Sequence, residues 1–288
     1  MSRRKPSLRR HAPARCSERA HPLTRPTSTA LTLGSNPGFS LLDALTGHAV
    51  SLGSILATID VSNMFWAFSQ LSYKPHPSVL EQLWTTAIDN VSQSDGRAVS
   101  MLLESTLRNR HKPPQDTLAL LTAHVLRTLD EYSAREISNI AISVVRLGHK
   151  PPPGFHAALD SKIVAMLGAF SDRDLSLCFT AFRLQGFTPS QETLDAVRGR
   201  FEATSRKMKE KDLVQLLYSL ASMRVQLSKP TLDALCRRLT DQKASFTSDG
   251  LVRVCDAFVM CGYDPGEELL KQAAKKKRVS KRKPQRER

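Results

Sequence analysis

The chain has 288 residues, 41% of them hydrophobic and 24% charged, which is the composition of a folded protein rather than a low-complexity or collagen-like one. Lys and Arg outnumber Asp and Glu by 42 to 27, yet residues 1–28 carry eight against one, residues 271–288 ten against one, and the body between them 24 against 25, which excludes a uniformly basic surface. There is no run of about 18 apolar residues, so no membrane span is expected; Cys16, Cys178, Cys236, Cys255 and Cys261 form no Cys-x-x-Cys pair, so neither a disulfide framework nor a zinc site is expected.

Residues 1–28 are rich in Arg, contain Ser, Thr and Pro, and hold Glu18 as their sole acid, which is the composition of a transit peptide. A basic arm kept on the mature protein is the alternative reading. Residues 29–36 open on Thr29-Ala30-Leu31, close on Leu33-Gly34, and read as the worn end of one earlier repeat.

From residue 37 the chain is periodic. Steps of 38 residues from Pro151 land on Pro37, Pro75, Pro113, Pro189, Leu227 and Pro265, so six of seven register positions are proline, and a fixed period of this length marks a repeat protein. With that proline as position zero, an apolar stripe at −14, −11, −7 and −4 has helical spacing: Val61, Met64, Phe68 and Leu71 in the first copy, Ile137, Ile140, Val144 and Leu147 in the third. This segment is helix B. Its −8 position is small in every copy (Ala67, Ser105, Ser143, Ala181, Ser219 and Ala257), which lets a neighbouring helix approach closely.

Helix B starts at candidate N-caps Asp95, Ser133, Ser171 and Thr247 at −18, and Ser133 with Glu136 has the spacing of a capping box. It ends at Gly34, Gly148, Gly186 and Gly262 at −3. Ser72, Arg110 and Arg224 take the place of glycine there, so the turn is expected to differ in those copies. After the proline, a second stripe at +5, +8 and +12 (for example Leu118, Leu121 and Val125) marks helix A, with Pro77, Pro114, Pro152, Pro153 and Pro230 near its first turn. The expected fold is therefore all-α: an alpha-solenoid of about six tandem 38-residue helical hairpin repeats over residues 37–274, followed by a basic tail at 275–288.

That tail holds Lys275, Lys276, Lys277, Arg278, Lys281, Arg282 and Lys283, too charged to pack. Polyanion binding, a nuclear address and a solvated tail without a specific role are its three readings.

No metal motif, phosphate loop or nucleophile motif stands in the chain, so no catalysis, cofactor or metal is expected. His111 and His149, both at −2, read as turn residues rather than ligands. The periodic signal with chemistry in it is a basic ladder at −16: Arg97, Arg135, Arg173 and Lys211. A cation in the first turn opposes the helix dipole, so local stability does not explain it, whereas a cation beside unpaired N–H groups makes a phosphate site. Pairing with the acid at −15 is the alternative. A second ladder at −1, Lys74, Lys112 and Lys150, follows the last turn of helix B, where the dipole already favours a cation. Trp66 and Tyr218, both at −9, are candidates for stacking on unpaired bases, although packing between repeats is the commoner use of such rings.

The 38-residue hairpin, with the close Ser143-Val144-Val145-Arg146-Leu147-Gly148-His149-Lys150-Pro151-Pro152-Pro153, resembles the octotricopeptide repeat family. The resemblance implies an alpha-solenoid that binds organelle RNA, single-stranded or ribosomal, with other proteins of a ribonucleoprotein as further partners. It implies a mitochondrial or chloroplast setting, the mitochondrion placed first, and a role in transcript stability, processing, translation or ribosome assembly. A non-enzymatic protein scaffold and a structural ribosomal component are the alternatives, since solenoids present extended surfaces to proteins equally well.

Overall fold

A computed structural model describes residues 38–241, 246–267, 269–271 and 273. The basic leader, the worn repeat end and the basic tail lie outside these residues. In chain order the helices are α1 (Phe39–Leu52) and α2 (Thr58–Leu71), α3 (Pro77–Asp89) and α4 (Gly96–Arg108), α5 (Gln115–Thr128) and α6 (Ala134–Arg146), α7 (Phe155–Ala165) and α8 (Asp172–Gln185), α9 (Gln191–Thr204) and α10 (Glu210–Ser222), then α11 (Lys229–Asp241) and α12 (Ser248–Met260). Odd-numbered helices are helix A of the repeat and even-numbered ones helix B, and the described residues contain no strand. The chain is an all-α solenoid.

Local chemistry sets the ends of each helix. Asp95, Ser133, Ser171 and Thr247 accept the N–H three residues on, at 2.8, 3.4, 3.2 and 3.0 Å. The acid at −15 reaches back to the N-cap amide: Asp60 to Ala57 N at 3.1 Å, Glu136 to Ser133 N at 2.8 Å, Asp174 to Ser171 N at 3.0 Å. Before α7 the run Pro151–Pro153 cannot supply the N–H groups of a helical turn, so that helix starts late, at Phe155, after Gly154 at φ 85°.

The turn after helix B corrects the sequence expectation. It is the same in all six copies. The N–H at −2 bonds the carbonyl five residues back each time: Tyr73 to Phe68, His111 to Thr106, His149 to Val144, Phe187 to Phe182, Val225 to Leu220 and Tyr263 to Phe258, at 2.9–3.2 Å. This Schellman turn needs a left-handed residue at −3. Gly148, Gly186 and Gly262 supply it at φ 71°, 68° and 69°, and Ser72, Arg110 and Arg224 adopt the same conformation at φ 53°, 55° and 59° despite their Cβ atoms. The six closing bonds hold the backbone there whatever side chain the position carries.

The residue at −2 then ties the turn to helix A of its own hairpin. Tyr73 Oη donates to Asp43, Tyr263 Oη donates to Asp233 at 2.7 Å, and His149 Nδ1 lies 2.9 Å from Gln115 Oε1. Burial, with the Asp43 carboxylate beside it, pushes the Tyr73 hydroxyl up to about 12. Burial holds the His111 and His149 rings below the usual imidazole value, as neutral turn residues.

The B helices pack directly on one another along the stack, α2 on α4 through to α10 on α12, while the A helices touch their like neighbours less. The six small residues at −8 are all 2% exposed or less, so no side chain props adjacent B helices apart. Serines at −13 add bonds across the same seam: Ser62 Oγ donates to Ala98 O at 2.8 Å, and Ser138 Oγ to Asp174 Oδ1 at 2.9 Å. The B helices thus form the continuous packed seam of the stack, and the A helices pack more loosely along it.

Candidate nucleic-acid interface

Sandwiched between two like neighbours and backed by helix A, a B helix keeps one strip for solvent. The strip holds positions −16, −12, −9 and −5, which share a helical face. The rows at −16 and −5 stand exposed, except for half-buried Ile59, whereas in the middle repeats Asn139, Ile142, Leu177 and Thr180 at −12 and −9 are buried. In the middle repeats this face is therefore a trough with two rims, roughly 16 Å apart at 1.5 Å per residue.

One rim carries the −16 ladder. Arg97, Arg135, Arg173 and Lys211 are all exposed, each beside the N-terminus of its own B helix. Among the described residues no carboxylate lies within 4.0 Å of Arg97, Arg135 or Lys211. Beside Arg97 the −15 position is Ala98, which carries no charge, and beside Arg135 the acid Glu136 is turned to the Ser133 amide at 2.8 Å. Arg173 alone of the four is tethered, 3.8 Å from Asp174 and 3.4 Å from Asn139 Oδ1. The ladder is bounded by Ile59 before it and Asp249 after it.

The other rim carries Arg108 and Arg146 at −5, both exposed. The signal that would have found both from the sequence is their shared register position. Lys74, Lys112 and Lys150 are exposed but follow the turn after helix B, roughly 20 Å along the helix direction from the −16 row. The two ladders of the sequence reading thus stand at opposite edges.

The structure separates the two aromatic candidates. Trp66 is 39% exposed, in contrast to the packing role that is commoner for such rings. Tyr218 is half-buried and capped by the Arg183 guanidinium, 5.1 Å from the ring centre. Trp66 lines a cavity of about 490 Å³ across α2, α4 and α6, with Arg97, Met101, Glu104, Arg108, Arg135 and Asn139 among its other walls. Here the structure brings together two ladder cations, a cation of the opposite rim and the open tryptophan.

Other chemistry is sparse. Among the described residues no group of three His, Cys, Asp or Glu side chains is placed to hold a metal, and no helix is long and apolar enough to cross a membrane. Cys178 is fully buried, and burial pushes its thiol well above the usual range; it pushes the Cys255 thiol up to about 11. Cys16 lies outside the described residues.

Residues 39–229, from the start of α1 to the start of α11, match the family described as RNA-editing substrate-binding complex 6 protein. No curated protein matches the chain.

Proposed function

The chain belongs to the RNA-editing substrate-binding complex 6 protein family, and from that premise we propose that it is a non-catalytic RNA-binding subunit of an organelle RNA-editing or RNA-processing assembly, with RNA held in the trough of the B-helix face. The observation that carries this reading is the −16 rim: four cations, one per repeat, three of them without a carboxylate partner, each beside a helix N-terminus that offers N–H groups to an anion. Regular spacing suits a polymer with a regularly spaced charge. The recessed floor between two basic rims suits a single strand whose bases point inward and whose phosphates lie on the rim.

The octotricopeptide resemblance stays in this reading as a likeness of the 38-residue plan, while the family match is to the editing-complex proteins. The Arg-rich residues 1–28 support an organelle as the setting, with the mitochondrion placed ahead of the chloroplast in this proposal. The word "complex" in the family description and the near balance of charge between residues 29 and 270 favour protein partners alongside RNA.

The test is binding of a single-stranded RNA to a variant with Arg97, Arg135, Arg173 and Lys211 all changed to Glu, its helical content verified by circular dichroism. The expected result is loss of binding with the helical signal intact. Unchanged affinity in a folded variant would refute the trough as the RNA site.

A further inference from the structure

The cavity at Trp66 has an occupant more specific than RNA in general. We propose that it is a guanine-selective subsite: an unstacked guanine of single-stranded RNA lies on the Trp66 ring and gives its Watson–Crick N–H groups to the Glu104 carboxylate. This rests on the RNA-binding reading above and adds base selectivity to it.

Trp66 and Glu104 occupy the same register position, −9, on neighbouring B helices that pack directly against each other, and both line the cavity. The volume of about 490 Å³ exceeds the roughly 300 Å³ at which small-molecule pockets begin, so one nucleotide fits. Trp66 offers an open π-face, and base–aromatic stacking by itself does not discriminate between bases. Discrimination needs a polar group at the base edge, and Glu104 supplies a group that only accepts. Guanine presents two adjacent donors there, N1–H and the N2 amino group, which match the two oxygens of a carboxylate. Uracil presents one donor between two carbonyl acceptors, and those acceptors would face the carboxylate unpaired. Glu104 Oε1 accepts from Arg108 Nη2 at 2.7 Å, which fixes the carboxylate while spare lone pairs remain on both oxygens. Arg97 on the rim beside it is placed for the nucleotide's phosphate.

The same juxtaposition recurs four repeats on, where Tyr218 and Asp256 hold the two −9 positions. There Arg183 already covers the ring, so the open copy is the one at Trp66.

The chain has two tryptophans, and Trp84 is 1% exposed with its indole N–H bonded to Thr106, so quenching of tryptophan fluorescence by a base reports on Trp66. The full chain is titrated with the RNA pentamers UUGUU, UUAUU and UUUUU, with Trp66→Phe as the optical control and anisotropy of a labelled 20-nucleotide RNA as the measure of overall binding. UUGUU should quench and bind about tenfold tighter than the other two, a discrimination within the range of one good bidentate base contact. Glu104→Gln, which replaces one acceptor oxygen by a donor, should erase that preference, with UUGUU affinity falling to that of UUUUU, since stacking and phosphate contacts persist without selecting a base. Equal affinity for the three pentamers, or a guanine preference that survives Glu104→Gln, would overturn the subsite while RNA binding stands. Binding of the 20-nucleotide RNA with tryptophan emission unchanged would also overturn it. Failure of the 20-nucleotide RNA to bind would remove the RNA reading and the subsite together.

Discussion

Neutralising part of the −16 rim changes a number that counts phosphate contacts. For a single strand, log affinity falls with log salt by about 0.7 for each phosphate neutralised. If each of the four rungs holds one phosphate, the rim contributes a slope of about −2.8, and a rise from about 50 to about 200 mM salt weakens binding about 50-fold through the rim alone. Arg97→Gln with Arg135→Gln removes two rungs, so the slope should flatten by about 1.4. Both side chains are exposed and without a carboxylate partner, so their loss leaves no buried or unpaired acid behind. Anisotropy of a labelled single-stranded RNA at several salt concentrations measures the slope in the full chain, and the tail at 275–288 contributes equally to every variant and cancels in the difference. The control is Lys74→Gln with Lys112→Gln at the far edge, which should leave the slope unchanged. An unaltered slope in the first variant, or equal flattening in the second, would refute the assignment of RNA to this rim.

Two further expectations concern stability. Ser72, Arg110 and Arg224 sit in a left-handed conformation that costs an L-residue about 1–2 kcal/mol, part of which glycine returns through the freedom it has in the unfolded chain; each replacement by Gly should therefore stabilise the array by about 0.5–1 kcal/mol, read as a raised denaturation midpoint, and a lowered midpoint would show that those side chains are held by contacts that outweigh the strain. His124 and His149 are 2% and 4% exposed, and burial lowers both imidazoles below their unfolded value. The unfolded chain takes up protons that the folded one refuses, so stability is whole above about pH 6.5 and falls as pH drops below it, by about 1.4 kcal/mol per pH unit for each ring still neutral. Urea melts at pH 7.5 and 5.5 measure this, and His124→Gln should reduce the difference; a protein equally stable at both values would contradict it.

Periodicity carried most of the fold. One proline repeated every 38 residues places both helices of every hairpin, because apolar stripes, N-caps and helix stops all keep one register. The Schellman turn was only half legible: glycine signals a left-handed residue, but Ser72, Arg110 and Arg224 reach the same state through backbone bonds to carbonyls five residues back, which no side chain announces. The interface was legible row by row and not as a surface. Arg97 and Arg135 could be found from spacing, but the freedom of Arg135 from the acid at −15 depends on the turn of Glu136 toward the Ser133 amide. Trp66 and Trp84 both lie on amphipathic helices; one lies open and the other is buried against Thr106 on helix B of its own hairpin, a difference set by the side of the helix each occupies.

The rim cations are also set against the helices that carry them. Each sits in the first turn of a B helix, at the second position after the cap, where the N-terminal end of the dipole repels positive charge by about 0.3–1 kcal/mol. The sixth B helix shows that the position accepts the opposite sign: α12 has Asp249 there, bonded to Arg253 at 3.0 Å. Arg135→Glu should consequently stabilise the array by up to about 1–2 kcal/mol, as a repulsion becomes an attraction at a site without a partner to lose, while the same substitution weakens RNA binding. Denaturation and binding measured on one preparation test the pair. A rim retained for phosphate must show the two effects with opposite signs; a variant that loses stability and binding together would mean that Arg135 is a structural residue and that the ladder owes its regularity to the fold.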